Sequence, residues 1–221
     1  MDIFGSRWQH HAAQIEARWR ETVGQEDTVI VAGDLSWGID LEQAREDLLF
    51  LDSLPGKKWL LKGNHDYWWT TVKKMEAFFY DNEIQSLSFL YNCALTYGRY
   101  TLCGARGWFQ DEKHAPRDAD YAKIVAREAG RLRLSLEDGK KRAEAAQIPF
   151  LPLAFLHFPP VFLDDTCPEI LSVLTEYGVQ DCYYGHIHGR YDLPPTVEYQ
   201  GIRFHIISAD YLQFCPVRID V

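Results

Sequence analysis

The sequence predicts a mixed α/β sandwich, and three observations support this fold class. In the first half of the chain, short apolar runs alternate with amphipathic stretches of helical periodicity, a pattern typical of strands connected by helices. In the second half, hairpin-like strand pairs favour a mixed sheet over a purely parallel one. Four apolar runs also end directly on polar residues, and ligands gather where buried parallel strands end.

The first half of the chain is predicted to alternate between helix and strand. Ala12, Ile15 and Trp19 recur at helical spacing. Pro55-Gly56 ends a second helical stretch. The predicted elements are, in order, a helix over residues 9–22, a strand over 28–33, a helix over 41–54, a strand over 59–63 and a helix over 70–81.

The second half is predicted to contain a hairpin, one long helix and further strands. Gly98-Arg99 separates two strand-like runs, as in a tight hairpin. Residues 119–146 are rich in helix formers, with a break expected near Asp138-Gly139. The other predicted elements are strands over 94–97, 100–103, 153–156 and 182–185, a helix over 168–177, and two C-terminal strands around Ala209-Asp210.

Composition narrows the class of protein. The length of 221 residues predicts one domain, and the net charge of -9 without a long basic run argues against long nucleic acid as a partner. The five cysteines contain no Cys-x-x-Cys pair, which favours reduced thiols in a cytoplasmic protein. No signal peptide or membrane span is predicted, so we expect no membrane partner.

The apolar runs that end on polar residues predict a converging site. They lead into Asp34, Asn64, His157 and His186. Oxygen and imidazole donors together favour Mn, Fe, Zn or Ni over a thiolate or all-oxygen site. Taken alone, Asp34 is better explained as a helix N-cap, and His157 as a structural histidine.

Two motifs are more specific than the single residues. In Gly63-Asn64-His65-Asp66, Asn64 offers a neutral oxygen and His65 can exchange a proton near neutral pH. Asp66 can orient the His65 imidazole. In Gly185-His186-Ile187-His188, an extended backbone would direct both imidazoles to one side, as in a metal clamp. A turn at Gly63-Asn64 is the alternative for the first motif.

The remaining polar and aromatic candidates carry less weight. Structural roles are expected for the other histidines, which are His10, His11, His114 and His205. Five residues near the motifs can line a pocket, and structural roles explain them at least as well. They are Trp37, Trp68, Trp108, Arg106 and Arg190.

Four motifs, in this order along the chain, resemble those of the calcineurin-like metallophosphoesterases. They are Gly33-Asp34, Gly63-Asn64-His65-Asp66, His157 and Gly185-His186-Ile187-His188. The resemblance spans residues 28–210. It implies a four-layer αββα sandwich in which helices cover two facing sheets. It also implies hydrolysis of phosphate esters by water, with two divalent metal ions as cofactors.

The resemblance assigns a role to each metal-binding candidate. Asp34 would bridge the two ions. Asn64, His157 and His186 would complete the shell of one ion, and His188 would bind the other. As catalytic residues, His65 would stabilise the transition state or protonate the leaving oxygen, with Asp66 behind it.

The chain departs from the family at the first motif. The family begins with Asp-x-His at the end of its first strand, and no Asp-x-His precedes Asp34 in this sequence. We therefore expect residues 1–221 to form a single domain that is N-terminally truncated and lacks the first strand. Three explanations stay open: a start placed too late, a natural variant that works with one metal ion, or lost catalysis.

The leading hypothesis is a metal-dependent phosphoesterase that acts on a small phosphorylated substrate through metal-activated water. The alternative is a catalytically impaired member of the same fold that binds metal or phosphate. The substrate, the metal and the oligomeric state are not determined by the sequence.

Overall fold

This computed structural model contains two β-sheets that are covered by helices. It describes residues 5–108 and 120–219. A 3₁₀ turn at Ser6–Trp8 precedes the first helix. No helix in these ranges has the length and apolar character needed to cross a membrane. All five cysteines are free thiols.

The first sheet has three parallel strands and carries helices on its outer face. Its strands, in spatial order, are β1 (Thr28–Val31), β2 (Lys57–Leu60) and β3 (Leu87–Phe89). The helices connected to it are α1 (His11–Thr22), α2 (Leu41–Asp52) and α3 (Val72–Asp81). A cluster that includes Leu48, Met75 and Phe79 buries the helices against the sheet.

The second sheet has six strands of mixed direction. Its strands are β4 (Ala94–Tyr97), β5 (Tyr100–Ala105), β6 (Pro152–Leu156), β9 (Asp181–Tyr184), β10 (Thr196–Tyr199) and β11 (Ile202–Ile206), in the spatial order β10-β11-β9-β6-β5-β4. The helices α4 (Tyr121–Ala145) and α5 (Pro168–Glu176) cover it, and β7 (Val161–Phe162) and β8 (Asp165–Thr166) form a separate short hairpin.

A third apolar layer joins the two sheets face to face. Leu61 and Leu90 from the first sheet meet Leu153 and Phe155 from the second. Alternation along β6 explains how one strand serves two layers, because Ala154 points to the helices while Phe155 points to the first sheet. The four-layer αββα arrangement predicted from the sequence is confirmed.

Helix α4 differs from the prediction because it continues through Asp138-Gly139 without a break. A Cβ atom at Gly139 would lie 2.6 Å from Cγ2 of Thr101, so the absent side chain lets the helix approach β5 closely. Asp138 accepts a hydrogen bond from the backbone N–H of Ala94, which ties the same turn to β4.

The C-terminal prediction of two strands was half wrong. Strand β11 precedes Ala209-Asp210 as expected, but residues 207–219 form turns and irregular backbone. Local hydrogen bonds replace a strand ladder there, since the N–H of Phe214 donates to the carbonyl of Ala209. The antiparallel partner of β11 is instead β10, an exposed edge strand that the sequence pattern did not indicate.

Strand β1 lies at an edge of the first sheet. It pairs in register with β2, and no strand among the described residues pairs with its other side. The predicted extent of the domain over residues 1–221 stays a prediction.

Candidate metal centre

Three of the predicted ligands converge where strands of both sheets end. Asp34 follows β1, His157 follows β6 and His186 follows β9. One ligand atom from each lies within 4.8 Å of the others, and His157 is buried. A carboxylate and two imidazoles at this separation form a donor set that fits a divalent transition metal.

Asn64 adds a fourth donor beside this cluster. Its Oδ1 lies 2.7 Å from Nε2 of His157. The other ring nitrogen of His157 donates to the carbonyl of Ala32 at 2.8 Å. This hydrogen bond fixes the tautomer, so Nε2 presents a lone pair toward Asn64 and Asp34.

Burial keeps both clustered histidines neutral. It lowers the pKa of His157 to about 3 and that of His186 to about 4. Neutral imidazole is the form that binds a metal ion, so neither residue needs to lose a proton before binding at neutral pH.

The backbone at the cluster adopts a conformation that non-glycine residues rarely take. Asp34 has φ 57° and His186 has φ 67°, both in the left-handed region. Such strain is concentrated at functional sites. Gly63 makes the close approach possible, because a Cβ atom there would lie 2.0 Å from Oδ1 of Asp34. The N-cap of α2 is Asp40, so Asp34 is not the cap that its sequence context also allowed.

Asp66 connects the two loops that carry Asp34 and Asn64. Its buried carboxylate accepts five hydrogen bonds, from the backbone N–H groups of residues 34, 35, 36 and 63 and from the indole of Trp68. Burial raises the pKa of Asp66, and these donors oppose the rise. This placement differs from the expectation that Asp66 orients the His65 imidazole. Its role in the structure is to hold the loops in register.

The His65 imidazole faces the cavity between an indole and a phenol. The ring of Trp37 lies 4.9 Å from it, and Nδ1 is 3.1 Å from the hydroxyl of Tyr67. Its backbone N–H donates to Oδ1 of Asp34, so His65 lies directly beside the loop that carries this candidate ligand.

His188 lies apart from the three clustered ligands. Strand β9 ends at Tyr184, and the Ile187 N–H donates to the Gly185 carbonyl, so the His-x-His segment is not extended. Nδ1 of His188 donates to the carboxylate of Asp210 at 2.7 Å. The metal clamp expected from alternating extended residues was therefore wrong in its geometry, although His186 and His188 line the same cavity.

Asp210 is a functional candidate that the sequence did not identify. It is 0% exposed and accepts hydrogen bonds from His188, the Gly189 N–H and the Tyr191 hydroxyl. Burial alone would raise its pKa, but the donors hold the pKa below the ordinary value for an aspartate. Its position after β11 was the available signal, because it repeats the placement of Asp34 after β1.

The site opens into a cavity of about 930 Å³. Of the five residues proposed as pocket lining, Trp37 contributes to the cavity wall. The other four make different contacts in the described structure: Trp68 with Asp66, Arg106 with Glu128 and Trp108, and Arg190 with Asp192. His205 bonds to Asp181, as expected for a structural histidine, and His114 lies outside the described residues.

Comparison with known proteins identifies the family. The sequence profile described as calcineurin-like phosphoesterase matches residues 8–190, which is most of the chain. The chain belongs to the calcineurin-like phosphoesterase family. Such phosphoesterases hydrolyse phosphoesters and use divalent metals, which agrees with the cluster of Asp34, His157 and His186.

The fold of this phosphoesterase is similar to the crystal structure of TT1561 from Thermus thermophilus. The TM-score is 0.50, with 93% of this chain and 86% of that chain covered. Sequence identity is 12%, so the similarity concerns the fold alone. No curated protein matches the sequence significantly.

Proposed function

We propose that this phosphoesterase hydrolyses small phosphate esters with a divalent metal ion held by Asp34, His157 and His186 and by the side-chain oxygen of Asn64. The convergence of these donors from both sheets onto one cavity carries the proposal. Family membership supports the reaction class. Mn, Fe, Zn and Ni are the metals that suit the donor set.

A divalent ion bound there would supply Lewis-acid charge for phosphate oxygens and would make water more acidic. The protein side chains have separate tasks. The Ala32 carbonyl holds His157 in the tautomer that presents Nε2, and Asp66 holds the Asp34 loop in place. His65 provides a proton to the leaving ester oxygen, because its imidazole stands beside the ligands and faces the cavity.

The net charge supports a small substrate. The net charge of -9 opposes a long polyanion, whereas a single phosphate group can be attracted by a bound cation. The five free thiols support a reducing compartment such as the cytoplasm.

The geometry favours one preformed metal site. Asp34, His157 and His186 are assembled, while His188 is not part of this cluster; its Nδ1 donates to Asp210, which leaves Nε2 as its donor atom. The same observation favours the second candidate function, a member of the family that binds metal and phosphate without turnover. The two functions differ in whether metal addition produces hydrolysis.

The first experiment measures hydrolysis of p-nitrophenyl phosphate and bis(p-nitrophenyl) phosphate by metal-stripped protein after addition of Mn or Zn. We expect turnover that depends on metal and falls by about 100-fold or more in Asp34→Asn and His157→Asn. His10→Asn is the matched control, because His10 is exposed and asparagine tolerates its left-handed backbone. Metal binding without turnover would favour the second candidate.

A second experiment tests the direct attack of water. In solvent enriched in heavy oxygen, one solvent oxygen should appear in phosphate during a single turnover. The water oxygen forms the new bond to phosphorus, and the ester oxygen leaves with a proton. A trapped phosphoenzyme would contradict this route.

A further inference from the structure

A cluster of cationic side chains lies beside the candidate metal centre, and the proposed function gives it no task. Arg106 follows β5 as His157 follows β6, and the two strands are parallel neighbours. Ala105 pairs with Leu156 at their ends, and the N–H of His157 donates to the Arg106 carbonyl at 3.1 Å. Arg106 is therefore the lateral neighbour of a candidate metal ligand.

The arginines of this cluster share one buried carboxylate. Glu128 of α4 is 0% exposed, and its Oε1 lies 2.9 Å from the Arg106 guanidinium and 2.8 Å from that of Arg131. Nε of Arg127 donates to the same oxygen at 3.4 Å. The Arg131 guanidinium also lies over the Tyr91 ring, 5.2 Å from its centroid. Three guanidinium groups thus converge on one carboxylate oxygen.

Lys62 adds a positive charge that has no partner of its own. It follows β2, is half-buried, and its ammonium makes no hydrogen bond or ion pair in the part of the chain that the structure describes. Burial lowers the pKa of Lys62, and the charges of Arg106 and Arg131 lower it further. Asp66 and Glu128 act in the opposite direction with smaller effect. Lys62 therefore lies in surroundings with an excess of positive charge.

Buried polar atoms next to these cations also lack hydrogen-bond partners among the described residues. They are Nε of Arg106, Nε1 of Trp108 and Oε2 of Glu128. The Arg106 guanidinium lies over the Trp108 indole, 5.1 Å from the ring centroid, so the two unused donors belong to neighbouring side chains. Buried polar groups are almost always paired, and uncompensated buried charge is costly. An anion with several acceptor oxygens relieves both costs.

The charge balance selects the kind of anion. The basic cluster comprises Lys62, Arg106, Arg127 and Arg131. These four cations exceed the two nearby carboxylates, Glu128 and Asp66, by two charges. A phosphate dianion matches this excess, and guanidinium groups match its geometry. Since the whole chain has a net charge of -9, the local excess of cations is not a consequence of composition.

We propose that Lys62, Arg106 and Arg131 bind a second phosphate group of the substrate, while the phosphate ester that is hydrolysed lies at the metal centre. The proposal rests on the proposed function and narrows its substrate class to small phosphate esters that carry another phosphate group nearby. Because Arg106 is adjacent to His157, one small molecule can reach both sites. Glu128 is a positioning residue that holds the arginines at the subsite.

The first test measures the binding of inorganic phosphate to metal-free protein by isothermal titration calorimetry at low ionic strength. We expect Lys62→Met to weaken the affinity by about tenfold, because it removes one charge-assisted contact. This substitution leaves no buried charge unpaired, since the ammonium has no partner among the described residues, so the protein should stay folded. Arg131→Gln should weaken the affinity to a similar extent.

Lys141→Met is the matched control, because Lys141 is exposed on the same helix as Arg131 and the substitution removes the same charge. Its phosphate affinity should stay within about twofold of that of the original protein, since salt and water screen an exposed charge. Equal losses in the Lys62 and Lys141 variants would reveal a general charge effect and overturn the proposal. Absence of phosphate binding to the original protein would also overturn it.

The second test asks whether the bound phosphate belongs to the substrate. Alkanediol bisphosphates of increasing length are compared with alkyl monophosphates of the same length in Mn-loaded protein. For at least one length, kcat/KM should be about tenfold higher for the bisphosphate. Lys62→Met should abolish this preference and Lys141→Met should retain it. An equal loss for both substrate series in Lys62→Met would place Lys62 at the hydrolysed phosphate and contradict the proposal.

The two tests also separate this proposal from the proposed function. Phosphate binding that depends on Lys62 requires neither metal nor turnover, so it can be found in a protein that hydrolyses nothing. In that case the affinities of the two substrate series are compared by calorimetry, and the bisphosphate must bind more tightly. Hydrolysis without any preference for bisphosphates would retain the proposed function and overturn the assignment of a second phosphate.

Discussion

Nε2 of His157 and Oδ1 of Asn64 face each other at 2.7 Å, and both are hydrogen-bond acceptors in the arrangement described. The His157 proton is on Nδ1, where it is donated to the Ala32 carbonyl. Two acceptors this close repel each other unless a donor or a cation lies near them, and Nδ1 of His186 lies 3.2 Å from the same Nε2. A bound cation removes this repulsion, and the account of the site depends on that relationship.

Substitution of Gly63 tests whether the close packing of the ligand loops is required. Gly63→Ala should disrupt metal binding and destabilise the protein, because the new Cβ would lie 2.0 Å from Oδ1 of Asp34. We expect a loss of about 2 kcal/mol or more in the free energy of unfolding, measured with urea. Gly130→Ala in α4 is the control, because its Cβ meets open space, and it should stabilise by about 0.5–1 kcal/mol. Equal effects of both substitutions would contradict this interpretation.

The depressed pKa of His157 predicts how stability depends on pH in metal-free protein. The ordinary pKa of 6.5 applies to the unfolded chain, and burial lowers the folded value to about 3. Between these values the unfolded state binds a proton that the folded state does not, so stability falls as pH decreases below 6.5.

The decrease in the free energy of unfolding that is attributable to His157 is at most about 1.4 kcal/mol per pH unit. Urea unfolding at several pH values from about 7 to about 5 measures it, and His157→Asn should flatten the dependence. His10→Asn is the surface control for the same change of side chain. A slope that is identical in the His157 variant and the original protein would show that this histidine is not the cause.

The carboxylate of Asp210 should fix the tautomer of His188. With Asp210 present, the His188 proton lies on Nδ1, so nitrogen NMR should report that tautomer. Asp210→Asn should shift the population toward the other tautomer and cost about 2 kcal/mol of stability. Tyr191→Phe removes one hydrogen bond to the same carboxylate and should cost about 1 kcal/mol without a change of tautomer. An unchanged tautomer in the Asp210 variant would limit Asp210 to a structural role.

The clustering of Asp34, His157 and His186 at strand ends was predictable from the sequence for a local reason. Asp34 and His157 directly follow apolar runs, and the carboxyl ends of parallel strands share one edge of a sheet. Asn64 and His186 follow apolar runs in the same way. The fold class followed from the same alternation of apolar runs and helical stretches.

Other features depend on contacts between distant residues and could not be read from local patterns. Asp66 bonds to backbone groups of the Asp34 loop, more than thirty residues away, so its neighbour His65 gave a misleading partner. The orientation of His188 depends on Asp210, which follows a later strand. Strand β10 is exposed and lacks an apolar run, so burial patterns did not reveal it.

The most direct test of the metal centre is the metal content of the protein, purified without chelator and supplied with Mn. We predict one tightly bound ion per chain, retained in His10→Asn and lost in His186→Asn, because His186 supplies one of the three clustered ligand atoms. Metal-free protein, or equal metal content in the His186 variant, would contradict the account.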